Sequence, residues 1–262
     1  MIAVRQPAVA GMFYPADTRQ LAREVQQLLA KVRPSDLIPK ALIVPHAGYI
    51  YSGAIAATAY ATLRSVASGI RRVVLLGPTH RVAVRGLALP GVDAFDTPLG
   101  RVMLDAAGAR AISHLPQVGI NPQAHALEHS LEVQLPFLQS ILTDFTLLPL
   151  AVGAASAEEV AEVLETVWGG EETLIVISSD LSHYHDYQTA RKMDSRTSKA
   201  IESLNPEALG YEDACGRIPV SGLLRAAQKH KLHAQTLDLR NSGDTAGPRD
   251  QVVGYGAYIF LE

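Results

Sequence analysis

Three short apolar runs, each ending in a polar, titratable group, most narrow what this chain can fold into. They are "KALIVPHAG" from Lys40, "RRVVLLGPTHR" from Arg71 and "TLIVISSDLSH" from Thr173. Runs of this length, rich in Val, Ile and Leu and closed by Pro, Gly or Ser, read as strands buried on both faces. Between the first two lies "SGAIAATAYATLRSVASG", an Ala-rich helix closed by Gly69. Strand, helix, strand makes a βαβ unit with parallel strands.

The alternation persists along the chain. "DTRQLAREVQQLLAKV" has Asp17 and Gln20 at capping-box spacing, then Leu21, Val25, Leu28, Leu29 and Val32 on one helical face. "FTLLPLAVG" reads as a further strand and "SAEEVAEVLETVW" as a helix. "YQTARKMDSRTSKAIESL" and "PVSGLLRAAQKHK" read as helices, and "HAQTLDLRNSG" and "VVGYGAYIFLE" as closing strands. With no repeat and no Gly/Ser linker, residues 1–262 are expected to form one α/β domain. Its central sheet should be largely parallel or mixed, flanked by helices.

At 48% apolar residues, 262 residues can fill a substantial core. The formal charge of −3 carries no run of Lys and Arg, which excludes a nucleic-acid surface. The start lacks the pattern of a signal peptide, and no uncharged apolar stretch reaches the ~18 residues of a membrane span. A single cysteine, Cys215, with no leader predicts a cytoplasmic protein with a reduced thiol.

In open α/β sheets the ligand crevice lies outside the carboxyl ends of the strands. His46, His80, and Asp180 with His183 follow three of the runs, so parallel strands would gather them on one edge. A lone histidine after a strand is an ordinary loop residue; the repeated placement is what points to a site. Two neutral imidazoles and an anionic group make a metal site with open positions. Asp180 beside His183 suits an acid/base pair, with Ser179, Ser182 and His185 as neighbours. His114, His230 and His233 default to the surface.

"HALEHSLEVQLPFLQ" offers a rival, because His125, Glu128 and His129 match H-x-x-E-H, the inverted zinc-peptidase pattern. That chemistry needs both histidines on one helical face. The loop-like "GINPQAHA" upstream and Pro136 downstream argue against such a helix. Glu128 and His129 remain expected pocket residues, while Glu132 is expected to face solvent or cap. Cys215 itself could be a metal ligand, a nucleophile or a small buried hydrophobe.

The stretches "GMFYPAD", "VPHAGYIYSG", "LLGPTH", "FDTPLG", "EHSLEVQLPFLQ", "SSDLSHYH", "CGRIPVSGLL" and "GYGAYIF" occur in that order across nearly the whole chain. Together they resemble the Memo family, protein B of the AmmeMemoRadiSam system. The resemblance implies a fold related to the class III extradiol dioxygenases. It also implies a metal site of His46, His80 and Cys215, with Asp180 and His183 beside it, His183 standing where those dioxygenases keep an acid/base histidine. Fe(II) is the expected cofactor, with Cu or Zn as alternatives. A thiol replaces the dioxygenase carboxylate, and Asp213 is the nearest substitute for it. The expected activity is a metal-dependent redox reaction on a small molecule; a non-catalytic peptide- or protein-binding cleft is the alternative. By family resemblance the partners are a radical-SAM protein and a small AMMECR1-like protein.

Overall fold

The structure, a computed structural model, describes residues 2–262. The first third supplies β1 (Val4–Arg5), α1 (Thr18–Ala30), β2 (Ala41–Val44), α2 (Tyr49–Tyr60) and β3 (Arg72–Pro78). The middle supplies β4 (Leu87–Leu89), β5 (Ala94–Thr97), β6 (Gly100–Met103), α3 (Ala106–Ile112), β7 (Val118–Ile120), α4 (Pro122–Ala126), α5 (Leu135–Ile141) and β8 (Thr146–Val152). The remainder adds α6 (Ala157–Thr166), β9 (Thr173–Ser178), β10 (His183–His185), α7 (Tyr187–Glu202), α8 (Arg217–His230), β11 (His233–Asn241) and β12 (Val252–Leu261).

The central sheet runs β10-β12-β2-β9-β3-β8-β4-β7, with β11 along the other edge of β12. Strands β2, β9, β3 and β8 are parallel, with Ile43 beside Ile177 and Leu75 between Val176 and Pro149. Antiparallel β12 makes the sheet mixed. Side chains alternate across a pleated strand, which explains why the apolar runs are continuous. Leu42, Val44, Val73, Leu75, Leu174 and Val176 enter one core, under α1, α2 and α5. Ile43, Val74, Leu76, Ile175 and Ile177 enter the other, under α6 and α8.

Local signals set the helix ends. The Asp17 carboxylate accepts the Gln20 amide at 2.8 Å at the start of α1. Ser156 and Glu159 close a full capping box on α6. The helix after "VPHAG" starts at Tyr49, earlier than expected, and continues past Tyr60 as a 3₁₀ turn to Ser65. The sequence pattern did not reveal β4, β7, or the separate sheet β1-β5-β6. These strands span two to four residues each, too few for a period to register. Among the described residues, no helix is long and apolar enough to cross a membrane.

Candidate metal centre

The shared carboxyl edge of the parallel strands brings distant residues together. β2 ends two residues before His46, β3 two before His80, and β9 two before Asp180. Cys215 arrives separately, on the turn that opens α8. The Cys215 amide donates to the Asp180 carbonyl at 3.3 Å and the Gly216 amide to Ser179 Oγ at 2.9 Å, docking this turn on the end of β9.

Gly216 makes the docking possible by close approach. A Cβ there would stand 2.6 Å from Ser179 Cβ and 2.8 Å from the Ser178 carbonyl. Gly216→Ala is expected to cost about 1–3 kcal/mol, typical of overpacking, and to push Cys215 outward. A lowered melting temperature together with weaker metal uptake would show both effects.

One ligand atom from each of His46, His80 and Cys215 lies within 4.8 Å of the others. Cys215 Sγ is 3.3 Å from His46 Nε2. Two nitrogens at about 2.0–2.1 Å and a sulfur at about 2.3 Å from one ion require donor separations of this order. The donor set fits a soft or borderline ion.

Hydrogen bonds behind the rings decide which nitrogen each imidazole presents. Ser178 Oγ gives its one hydrogen to the Ser130 carbonyl at 2.6 Å and accepts the Gln134 amide at 2.8 Å. It therefore accepts from His46 Nδ1, 2.9 Å away, leaving the Nε2 lone pair facing Cys215. His80 Nδ1 likewise donates to Glu128 Oε1 at 2.8 Å, and the His80 amide donates to Glu128 Oε2 at 2.6 Å. Both imidazoles thus have the tautomer that Nε2 coordination requires, each fixed by a second partner.

Glu128 also accepts the amides of His129 and Ser130 at 3.0 Å each. Burial alone would raise its carboxyl, but the His80 ring and amide, with the Ser130 amide, hold it at about 2. This carboxylate stabilises the fold fully above its ordinary 4.5, and that stability is lost as pH falls toward about 2. The His129 ring stacks on His80 at 4.6 Å and lies edge-on to His46 at 5.3 Å, so three imidazoles share the crevice. Burial lowers His129 to about 4, against the pull of Glu128, which leaves it neutral at neutral pH. Burial, with neighbouring His80, also places His46 well below its ordinary value. Burial and the Asp180 charge push the Cys215 thiol up to about 12.

Several expected roles change. Asp180 does not pair with His183: its Oδ1 accepts the His46 amide at 2.8 Å, so it anchors the β2 loop. Burial pushes this carboxyl up to about 7, opposed by the His46 and Ala47 amides. His183 sits on β10, which takes over the edge of β12 beyond the end of β2, opposite Val253. Burial lowers the His183 ring, its Leu181 backbone bond works the other way, and His80 and His185 push it down further. The H-x-x-E-H helix does not form. His125 sits in the last turn of the short α4, and its Nε2 bonds the Ala88 carbonyl at 2.7 Å, while Glu128 and His129 lie beyond the helix. The second possible metal cluster is His80, Glu128 and His129, without His125, which removes the peptidase geometry.

Glu132, expected at the surface, is fully buried. Its carboxylate takes Arg5 at 2.7 Å, Tyr14 Oη at 2.6 Å and the amides of Ala8 and Val9. Asp213 is tied to Arg196 and the Gly210 amide rather than to the cluster. His230 stacks on Trp168 at 3.9 Å instead of standing free. Sequence reasoning missed Ser178 and Gln134, which hold His46 in place. The available signal was a polar residue at the inner end of an apolar run, in "LIVIS" and in "LEVQLP".

Fold and site together define a single-domain α/β protein with an imidazole–thiol cluster at the carboxyl edge of a mixed sheet. Residues 5–259 match the Memo-like protein family. A MEMO1 family protein of Aquifex aeolicus is 40% identical over 98% of this chain and 99% of its own. One from Methanosarcina barkeri is 35% identical over 98% and 99%. The chain belongs to the Memo family. The solved structure of uncharacterized protein JW3007 from Escherichia coli K12 superposes with a TM-score of 0.50. At 12% identity over 84% of this chain and 98% of that one, it shares the fold alone.

Proposed function

We propose that this protein is a non-haem metal protein, with Fe(II) as its ion and Cu or Zn as the competing elements, serving a redox reaction on a small molecule. The convergence of His46, His80 and Cys215 ligand atoms, with both imidazole tautomers fixed from behind, supports this reading. When bound, the ion would supply Lewis acidity and electron transfer at its open positions.

The chain's own groups have separable roles. His46, His80 and Cys215 would be the ligands. Ser178 and Glu128 keep the two Nδ1 protons in place. His183, lowered by burial, is neutral at neutral pH and free to accept a proton from an incoming acidic ligand. His129 packs against both imidazoles. Glu128→Gln is expected to weaken metal affinity by about 10–100-fold, as loss of such a second partner does. A competition titration with a chelator measures this, and unchanged affinity would remove Glu128 from its role.

The test of the reading is metal content after anaerobic purification, compared among the parent chain, His46→Ala and Cys215→Ser. Equal content in all three overturns it. One observation favours a second reading, a partner-binding cleft. Ile50, Tyr184 and Tyr211 are 67%, 72% and 83% exposed, Ile50 and Tyr211 four residues from His46 and Cys215 and Tyr184 next to His183. Tyr184 also holds a left-handed backbone (φ 60°) that side-chain-bearing residues seldom adopt. Partner capture that survives loss of all three ligands would favour binding over catalysis.

A further inference from the structure

Two arginines without a hydrogen-bond or carboxylate partner line one cleft near the turn that carries Cys215. Arg85 and Arg217 line a cavity of about 650 Å³ together with Gly86, Gln117, Ala154 and Glu159. None of the imidazole or thiol groups belongs to it. Its position is nonetheless close: Arg85 bridges to Ala154, just past the carboxyl end of β8. Arg217 follows Cys215 by two residues, so their Cα atoms are at most about 7 Å apart.

The other polar groups of this cleft are already engaged. Glu159 Oε2 accepts the Ser156 amide at 2.7 Å in the α6 cap. Gln117 Nε2 donates to the Glu159 carbonyl at 3.1 Å and to Glu162 Oε2 at 2.8 Å. The two guanidinium groups have no hydrogen bond or ion pair among the described residues; Arg217 only lies over the Tyr211 ring at 5.4 Å. Elsewhere Arg5, Arg72, Arg101, Arg196, Arg225 and Arg240 each meet a carboxylate, while exposed Arg19, Arg23 and Arg33 have none among the described residues and line no such cleft.

Arg85 is exposed and Arg217 half-buried, and Glu159 is the one carboxylate lining the same cleft. Arg217 occupies the first turn of the 14-residue α8, where no acidic residue and no side-chain cap offsets the positive end of the helix. A second guanidinium in the same cleft adds like-charge repulsion. An oxyanion would relieve both, because guanidinium groups grip carboxylate and phosphate through paired, charge-assisted hydrogen bonds. The volume falls within the range of small-molecule sites.

We propose that Arg85 and Arg217 form a binding site for the oxyanion of a small metabolite, a carboxylate or a phosphate. The site does not depend on the metal reading. Two probes distinguish the anion sources: inorganic phosphate and succinate, each titrated into the full-length, chelator-treated protein by calorimetry and by amide NMR. The expected result is saturable binding of one or both probes in the millimolar range or tighter, with shifts at Gly86, Ala154 and Ile218. Arg217→Gln and Arg85→Gln should each weaken it by about tenfold or more. Binding of phosphate alone or succinate alone assigns the ligand class. The proposal is overturned if neither probe binds at about 10 mM, or if both folded variants bind as the parent does. Should one variant not fold, the other carries the comparison. Metal content of the arginine variants, measured separately, keeps failure of this site distinct from failure of the metal site.

Discussion

Cys215→Ser and His46→Ala are each expected to emerge from anaerobic purification nearly free of metal, while the parent chain carries about one ion per chain. The serine variant is the sharper of the two. It keeps the shape of the side chain but exchanges a soft sulfur, which can lose its proton to a metal, for a hydroxyl that holds it. The protonation state adds a signature. In the metal-free chain burial and Asp180 keep the thiol protonated up to about 12, so ion uptake must release that proton. Apparent affinity should therefore rise by about tenfold per pH unit through neutrality, and this dependence should weaken in Cys215→Ser. The metal-free fold shows the opposite linkage. A thiol raised above its ordinary 9.0 costs the folded state stability as pH climbs from there toward about 12. Bound metal should remove that alkaline loss. Elemental analysis with alkaline melts of loaded and stripped protein reads both effects.

Glu132→Ala is expected to cause the largest loss of stability of any single substitution considered. The carboxylate is fully buried and accepts four donors: Arg5, Tyr14 Oη and the amides of Ala8 and Val9. Removing it strands the Arg5 guanidinium, itself buried, with only the His125 and Glu128 carbonyls. Breaking a buried pair from one side costs about 3–5 kcal/mol, which in a chain of this size lowers the melting temperature by on the order of 10 °C. Arg5 bonds the carbonyls on either side of the His125–Glu128 turn, so the carboxylate that orients His80 should loosen as well. A calorimetric shift below about 1 kcal/mol would refute this account, since surface substitutions lie within that range.

The same residue shows why sequence reasoning fails where it does. Glu132 sits in "HSLEVQLP", and a charged residue next to apolar ones reads as exposed unless its partner is visible. The partner, Arg5, is 127 positions away. Asp180 misled for the opposite reason. His183 is near it in sequence, yet its carboxylate bonds the His46 amide across 134 positions. His125 matched a motif by spacing, but α4 ends at Ala126, before the pattern's second histidine is reached.

The sequence by itself determined the alternation of strands and helices, because period and capping are written within a few neighbouring residues. It also determined that His46, His80 and Asp180 would share an edge, since parallel strands necessarily place their carboxyl ends together. No residue pattern put Cys215 with them, only the family resemblance did; the tertiary structure brings it there through a turn docked on Ser179, and it alone decided that Ser178 and Glu128 set the two imidazole tautomers. Those outcomes depend on contacts between segments dozens to more than a hundred residues apart, where no local period can act and only packing selects the partner.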